Sequence, residues 1–166
     1  MGPLMIKNDL EEKLRKWLIG AERVVVAGIG NPIRMDDAVG IRIIQSLRGK
    51  VSSKVFLIEC ETVPESYIDK IEAFNPTHIL LVDAALLGLN PGESKFVELS
   101  ALHFYPAFST HMLPLRIFCE YLTKTTGAKI GLLLIQPKIA DFGEELSPEV
   151  SLACERIANL LLSILP

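Results

Sequence analysis

The sequence predicts an α/β fold: a single domain on a twisted, mostly parallel sheet of about five strands, flanked by helices on both faces. Three observations carry this. Short β-branched runs alternate along the chain with segments of helical apolar period. Those runs are apolar almost throughout, which suits strands buried on both faces. The chain has 166 residues, 49% of them hydrophobic, enough for one domain with a sizeable core. Right-handed crossovers between parallel strands then place helices on both sides of the sheet.

Asn8 or Asp9 suits the cap of a first helix with Leu10, Leu14, Trp17 and Leu18 on one face, and Gly20 ends it. Residues 1–22 are thus expected as an N-terminal helical extension packed on a domain of residues 23–166. Arg23 to Ile29 is a continuous β-branched run and reads as a buried strand. Asp37 to Leu47 reads as a helix with Val39, Ile43, Ile44 and Leu47 inward. Lys54 to Glu61 is a second strand. Pro64 opens a helix through Phe74, because its fixed φ suits a first turn, and Asn75-Pro76 stops it.

His78 to Ala84 is a third strand, followed by the turn Gly88-Leu89-Asn90-Pro91-Gly92. Lys95 to Leu99 reads as a short strand on the sheet edge. Leu102 to Pro114 mixes aromatic residues and proline without a period and reads as a loop. Leu115 to Thr126 is helical and Gly127 caps it. Lys129 to Ile135 is a last buried strand, closed by Gln136-Pro137. Ser147-Pro148-Glu149 starts a final helix with Val150, Ala153, Ile157, Leu160 and Leu161 inward.

Composition excludes several classes. Net charge is −3 with no basic stripe, so no nucleic-acid partner is expected. No apolar run approaches the roughly 18–20 residues of a membrane span. Asn8 to Ile19 is charged and amphipathic and lacks a signal-peptide core, so a cytoplasmic location is expected. Cys60, Cys119 and Cys154 are widely spaced and form no C-x-x-C pair, so they read as buried apolar thiols.

The chemistry concentrates in Gly28-Ile29-Gly30-Asn31-Pro32-Ile33-Arg34-Met35-Asp36-Asp37-Ala38-Val39-Gly40. Strand, glycine turn and helix follow in that order. Two adjacent carboxylates therefore sit where ligands bind in open α/β sheets. One aspartate of the pair suits the helix N-cap, which leaves the other to face the cleft. Asp83 ends the apolar run Ile79-Leu80-Leu81-Val82, where a carboxylate is costly unless paired, bonded or coordinating. It follows a strand at the same sheet edge as Asp37. His111, in a loop before a helix, gains weight from that company. Two carboxylates and an imidazole suit an open metal site, or general-base activation of water. His78 and His103 have no such company and read as structural or exposed.

Other motifs fail. Gly28-Ile29-Gly30 begins like a dinucleotide fingerprint, but Ile33 takes the third glycine's place. There is no Gly-Lys-Ser/Thr phosphate loop and no Gly-x-Ser-x-Gly elbow.

Taken in order, five segments resemble the nickel–iron hydrogenase maturation endopeptidases, in the branch serving formate-hydrogenlyase and energy-converting hydrogenases. They are Gly28-x-Gly30-Asn31-x-x-x-x-Asp36-Asp37-x-x-Gly40, Leu80-Leu81-Val82-Asp83-Ala84, Gly88-Leu89-Asn90-Pro91-Gly92-Glu93, Thr110-His111-x-x-Pro114-Leu115 and Ile135-Gln136-Pro137. The resemblance implies an enzyme that removes a short C-terminal extension from the nickel-loaded precursor of a hydrogenase large subunit. It implies that Asp37, Asp83 and His111 bind a divalent metal and carry the chemistry. It also implies substrate recognition by the acid after the second strand, here Glu59, with Asn31 and Asp36 of the first motif as further candidates. Many relatives carry Asp-Gly-Gly where this chain reads Glu59-Cys60-Glu61. Nickel is expected to arrive with the substrate, with no tightly bound cofactor of the protein's own. The partner implied is the large-subunit precursor, met by a monomer.

Two other classes share features. A non-enzymatic nickel-binding maturation module would use the same trio. Peptidyl-tRNA hydrolases open with the same Gly-Ile-Gly-Asn-Pro turn, but their pattern continues toward a histidine-asparagine pair where Asp36-Asp37 stand here.

Overall fold

The computed structural model describes the backbone of residues 2–104 and 112–166 and the side chains of residues 9–101 and 114–166. Five strands form one sheet: β1 (Val24–Ile29), β2 (Val55–Glu61), β3 (His78–Ala84), β4 (Ser94–Glu98) and β5 (Lys129–Ile135). Their order is β2-β1-β3-β5-β4. All neighbours are parallel except β4, which runs antiparallel to β5 on the edge. The helices are α1 (Gly2–Trp17), α2 (Val39–Leu47), α3 (Ile68–Phe74), α4 (Met112–Thr126) and α5 (Pro148–Ile164). Among the described residues, no helix is long and apolar enough to cross a membrane.

Period-two alternation divides β1 between two cores. Val24 and Val26 face one core with α1, α2 and α5, while Val25, Ala27 and Ile29 face the other with α3 and α4. The helical faces named from sequence are buried: Val39, Ile43, Ile44 and Leu47 on α2, and Val150, Ala153, Ile157 and Leu161 on α5. Leu160 is only partly buried.

Several boundaries differ from the sequence expectation. The first helix begins at Gly2, so Asn8 and Asp9 are interior positions and cap nothing. Pro3 lies in its first turn, where a missing N–H is harmless. The helices after β1 and β2 each open with a 3-10 turn, Met35–Ala38 and Pro64–Tyr67. The expected loop from Leu102 begins inside another, Leu99–Phe104, and ends early because α4 starts at Met112. Asn75 takes the left-handed conformation (φ 53) that ends α3.

α1 joins the core through Leu14, Trp17 and Leu18. The Trp17 ring meets His78 edge-on at 5.0 Å and Phe96 at 5.3 Å. His78 Nε2 donates to the Trp17 carbonyl at 3.0 Å, and Nδ1 lies 3.0 Å from the Thr77 hydroxyl. His78 is thus a buried structural residue.

The strand order reverses beside β1: β2 lies on one side and β3 on the other. This is a topological switch point, where a crevice opens beyond the carboxyl ends of the strands. The glycines of the first motif close α2 onto it. A Cβ on Gly28 would stand 2.5 Å from the Gly40 carbonyl oxygen, and one on Gly40 would stand 2.1 Å from that of Val82. Gly30 has φ +142, and a Cβ there would meet the Asp37 carbonyl oxygen at 1.9 Å. The glycines therefore serve backbone contact between β1, α2 and β3.

Gly40→Ala is expected to lower stability by about 2–3 kcal/mol, because two backbones must separate. Gly49→Ala meets nothing within 4 Å and keeps only the cost of φ +75, about 1 kcal/mol. Urea unfolding midpoints of the two variants check the contrast.

Candidate active site

A cleft of about 800 Å³ opens at the β1/β3 switch point, with Gly30, Asn31, Asp37 and Asp83 in its wall. Asp37 comes from the 3-10 turn between β1 and α2, and Asp83 is the penultimate residue of β3. Pro114, Leu115 and Phe118 of α4 form an apolar side. Asp37 Oδ2 accepts a hydrogen bond from the Asn31 N–H at 2.8 Å, and Asn31 Oδ1 accepts from the Ile33 N–H at 3.1 Å. Asp83 Oδ1 accepts from the Ala84 N–H at 2.8 Å.

Burial and then the charge of Asp37 push the Asp83 carboxyl well above its ordinary range, and the Ala84 N–H opposes this only in part. The fold thus holds two carboxylates close enough to repel, each with one protein hydrogen bond among the described residues. Asp37 and Asp83 are two of the three donors named from sequence. The third, His111, lies outside the described residues. Among the described residues no three potential metal donors converge.

Asp36 behaves quite differently from its neighbour. It has no solvent exposure. Oδ2 accepts from the Lys138 N–H (2.9 Å), the Ile139 N–H (3.0 Å) and the Ser147 hydroxyl (2.8 Å), and Oδ1 accepts from the Ser147 N–H (2.7 Å). Burial alone would raise its pKa, but the N–H groups of Ile139, Ser147 and Lys138 and the Ser147 hydroxyl together hold it below the ordinary value. A carboxylate filled from within cannot also touch a substrate, which corrects the expected recognition role. Neither aspartate caps α2, whose N-cap is Ala38; Asp36 instead binds Ser147, the N-cap residue of α5.

Glu59 is also directed elsewhere. It accepts from Gln45 Nε2 at 2.9 Å and from Arg48 at 2.8 and 3.0 Å, and it is absent from the cleft wall. The acid from this segment that does line the cleft is Glu65. Glu61 takes φ +52, a conformation glycine would adopt freely. Arg34 also lines the cleft and was not singled out from sequence; its signal was a cation on the turn carrying the two acids. The three cysteines are buried and free, with the Cys60 and Cys119 thiols pushed up to about 12 by burial. They are inert packing groups.

Asp36, which is buried, and Asp83, which is half-buried, should shift stability in opposite senses. Asp83 binds its proton more tightly folded than unfolded, so its ionisation weakens the fold as pH rises from the ordinary carboxylate range toward the raised value. Asp83→Asn is expected to melt above wild type at neutral pH, with the gap closing on acidification. Asp36 contributes stability above the ordinary carboxylate pKa and loses it as pH falls through the lowered one. Asp36→Ala leaves three N–H groups and a hydroxyl unfilled and is expected to cost roughly 3–5 kcal/mol at neutral pH. Thermal melts across pH check both signs.

Comparison with known proteins identifies the family. The family model for hydrogenase maturation proteases matches residues 41–164. A candidate hydrogenase maturation protease of Methanocaldococcus jannaschii is 37% identical over 164 residues, covering 94% of this chain and 96% of that one. The hydrogenase 3 maturation protease of Escherichia coli K12 is 29% identical over 137 residues, covering 82% and 87%. A crystal structure of a nickel–iron hydrogenase maturation protease from Thermococcus kodakarensis KOD1 has a TM-score of 0.84 at 38% identity, covering 92% of this chain and 97% of that one. This chain belongs to the hydrogenase maturation protease family.

Proposed function

We propose that the protein is an endopeptidase that removes a short C-terminal extension from the precursor of a nickel–iron hydrogenase large subunit once nickel has entered it. Family membership supports the reaction class. The observation that carries the site assignment is the Asp37–Asp83 pair beside an open cleft. Two carboxylates held against their mutual repulsion fit a divalent cation, which relieves it. With His111 as third donor the set offers oxygen and imidazole ligands suited to nickel.

In this proposal nickel is part of the substrate and arrives with the precursor. When bound it supplies Lewis acidity toward a carbonyl or a water. The protein's own groups orient the chain. The Asn31 and Ala84 N–H groups fix the two carboxylates, while Pro114, Leu115 and Phe118 limit water in the cleft. An open trio binds metal weakly by itself, because water fills the remaining positions. In this reading the protein acts as a monomer in the cytoplasm.

The test is a processing assay, with the precursor weighed by mass spectrometry with and without nickel inserted. Loss of a C-terminal peptide from the loaded form alone is the expected result. Asp37→Asn and Asp83→Asn are each expected to slow processing by about 10²-fold or more. A protein that binds nickel tightly by itself and leaves the loaded precursor intact would be a metal-binding module instead.

A further inference from the structure

Arg34 stands out among the charged residues of the cleft. The cleft wall holds three acids, Asp37, Glu65 and Asp83, and Arg34 is its one cation among the described residues. Its side chain forms no hydrogen bond with any described residue, and no ion pair within 4.0 Å. Other arginines have partners within the chain, whereas Arg156, on the surface of α5, has none among the described residues. Arg23 donates to the Phe74 carbonyl, Arg42 to the Glu144 carbonyl, and Arg48 to Glu59.

The Arg34 backbone, by contrast, is pinned. Its N–H donates to the Asn31 carbonyl at 3.2 Å, and its carbonyl accepts from the Asp37 N–H at 3.0 Å. On either side, the Met35 N–H donates to the Gly143 carbonyl at 2.9 Å and the Ile33 carbonyl accepts from the Gly143 N–H at 2.8 Å. A fixed backbone carrying an exposed guanidinium, unpartnered among the described residues, on the wall that also holds two carboxylates is an arrangement the fold itself does not need.

Peptide hydrolysis explains it. Water adds its oxygen to the scissile carbonyl carbon, and the π pair moves onto the carbonyl oxygen. The pair then returns as the C–N bond breaks, and the nitrogen leaves as an amine carrying a proton from the water. Negative charge develops on the carbonyl oxygen in a cleft whose other charged side chains, among the described residues, are acids, and the substrate's nickel is shared with two of them. That is unfavourable unless a donor meets the oxygen. A guanidinium presents several N–H groups in a fixed fork and keeps its charge at all working pH values. We propose that Arg34 binds the scissile carbonyl oxygen of the precursor and stabilises its charge in the transition state.

This inference rests on the proposed protease activity, and steady-state processing of the nickel-loaded precursor tests the two separately. Arg34→Met is expected to lower kcat by about 10²-fold with KM little changed. Its melting temperature should stay within about 1 °C of wild type, as for a surface side chain without partners. Arg34→Lys keeps the charge without the fork and is expected to recover part of kcat. Wild-type kcat in Arg34→Met would overturn the assignment. So would a rise confined to KM, which would put the guanidinium on the precursor away from the reacting carbonyl. An intact loaded precursor with the wild-type protein would overturn the protease proposal itself.

Discussion

A carboxylate cut off from water is tolerated only when donors fill its oxygens. Asp36 meets that condition with four donors, all from residues 138–147. The bonds span more than a hundred residues of sequence and fasten the chain after β5, and the start of α5, to the turn after β1. Backbone bonds repeat the attachment: the Asp36 N–H donates to the Ile139 carbonyl at 3.0 Å, and Met35 and Ile33 pair with Gly143. Asn31, Arg34 and Asp37 stand on that turn. A buried charge that does not line the cleft thus determines where the cleft residues stand.

The glycine contacts act on the other wall. Gly40 lets α2 touch the carbonyl of Val82, the residue before Asp83. Asp37 rides on the turn that enters α2. Any side chain at position 40 would move α2 off β3 and draw the two carboxylates apart. Close packing of backbones therefore creates an electrostatic conflict that packing alone would avoid. Like charges held together at a cleft, with one pKa pushed up, are the mark of a site arranged for binding or catalysis.

Much of the fold was legible because its signals are local. β3 and β5 follow the sequence expectation from His78 to Ala84 and from Lys129 to Ile135, since continuous apolar β-branched runs bounded by turn residues have few alternatives. The start of α1 was not legible. Asn8 and Asp9 have the chemistry of caps, but a cap forms only where the preceding chain leaves the helix, and here it does not. At the cleft, Asp37 and Asp83 were legible as acids following strands at one sheet edge. The division of labour between Asp36 and Asp37 was not, because it depends on a loop a hundred residues away. Glu59 lies outside the cleft wall for a reason of parity. Within β2 it turns toward Gln45 and Arg48 of the α2 segment, whereas Glu65 reaches the cleft from the turn that follows.

The opposite end of the sheet completes the argument. β3 has seven residues. At its first, His78 is held by the Trp17 ring and carbonyl of α1, with burial keeping its pKa below the usual value so that the ring stays neutral. Trp17 in turn packs over Gly131 of β5, where a Cβ would stand 3.1 Å from its ring. At its fifth residue, Val82, β3 is held by Gly40. Asp83 follows immediately, with hydrogen-bond support from Ala84 and the charge of Asp37 against it. A carboxyl so poorly supported would draw a pliant chain toward water. It stays in place because the strand beneath is fixed at both ends, by aromatic packing at one and by a contact only glycine permits at the other.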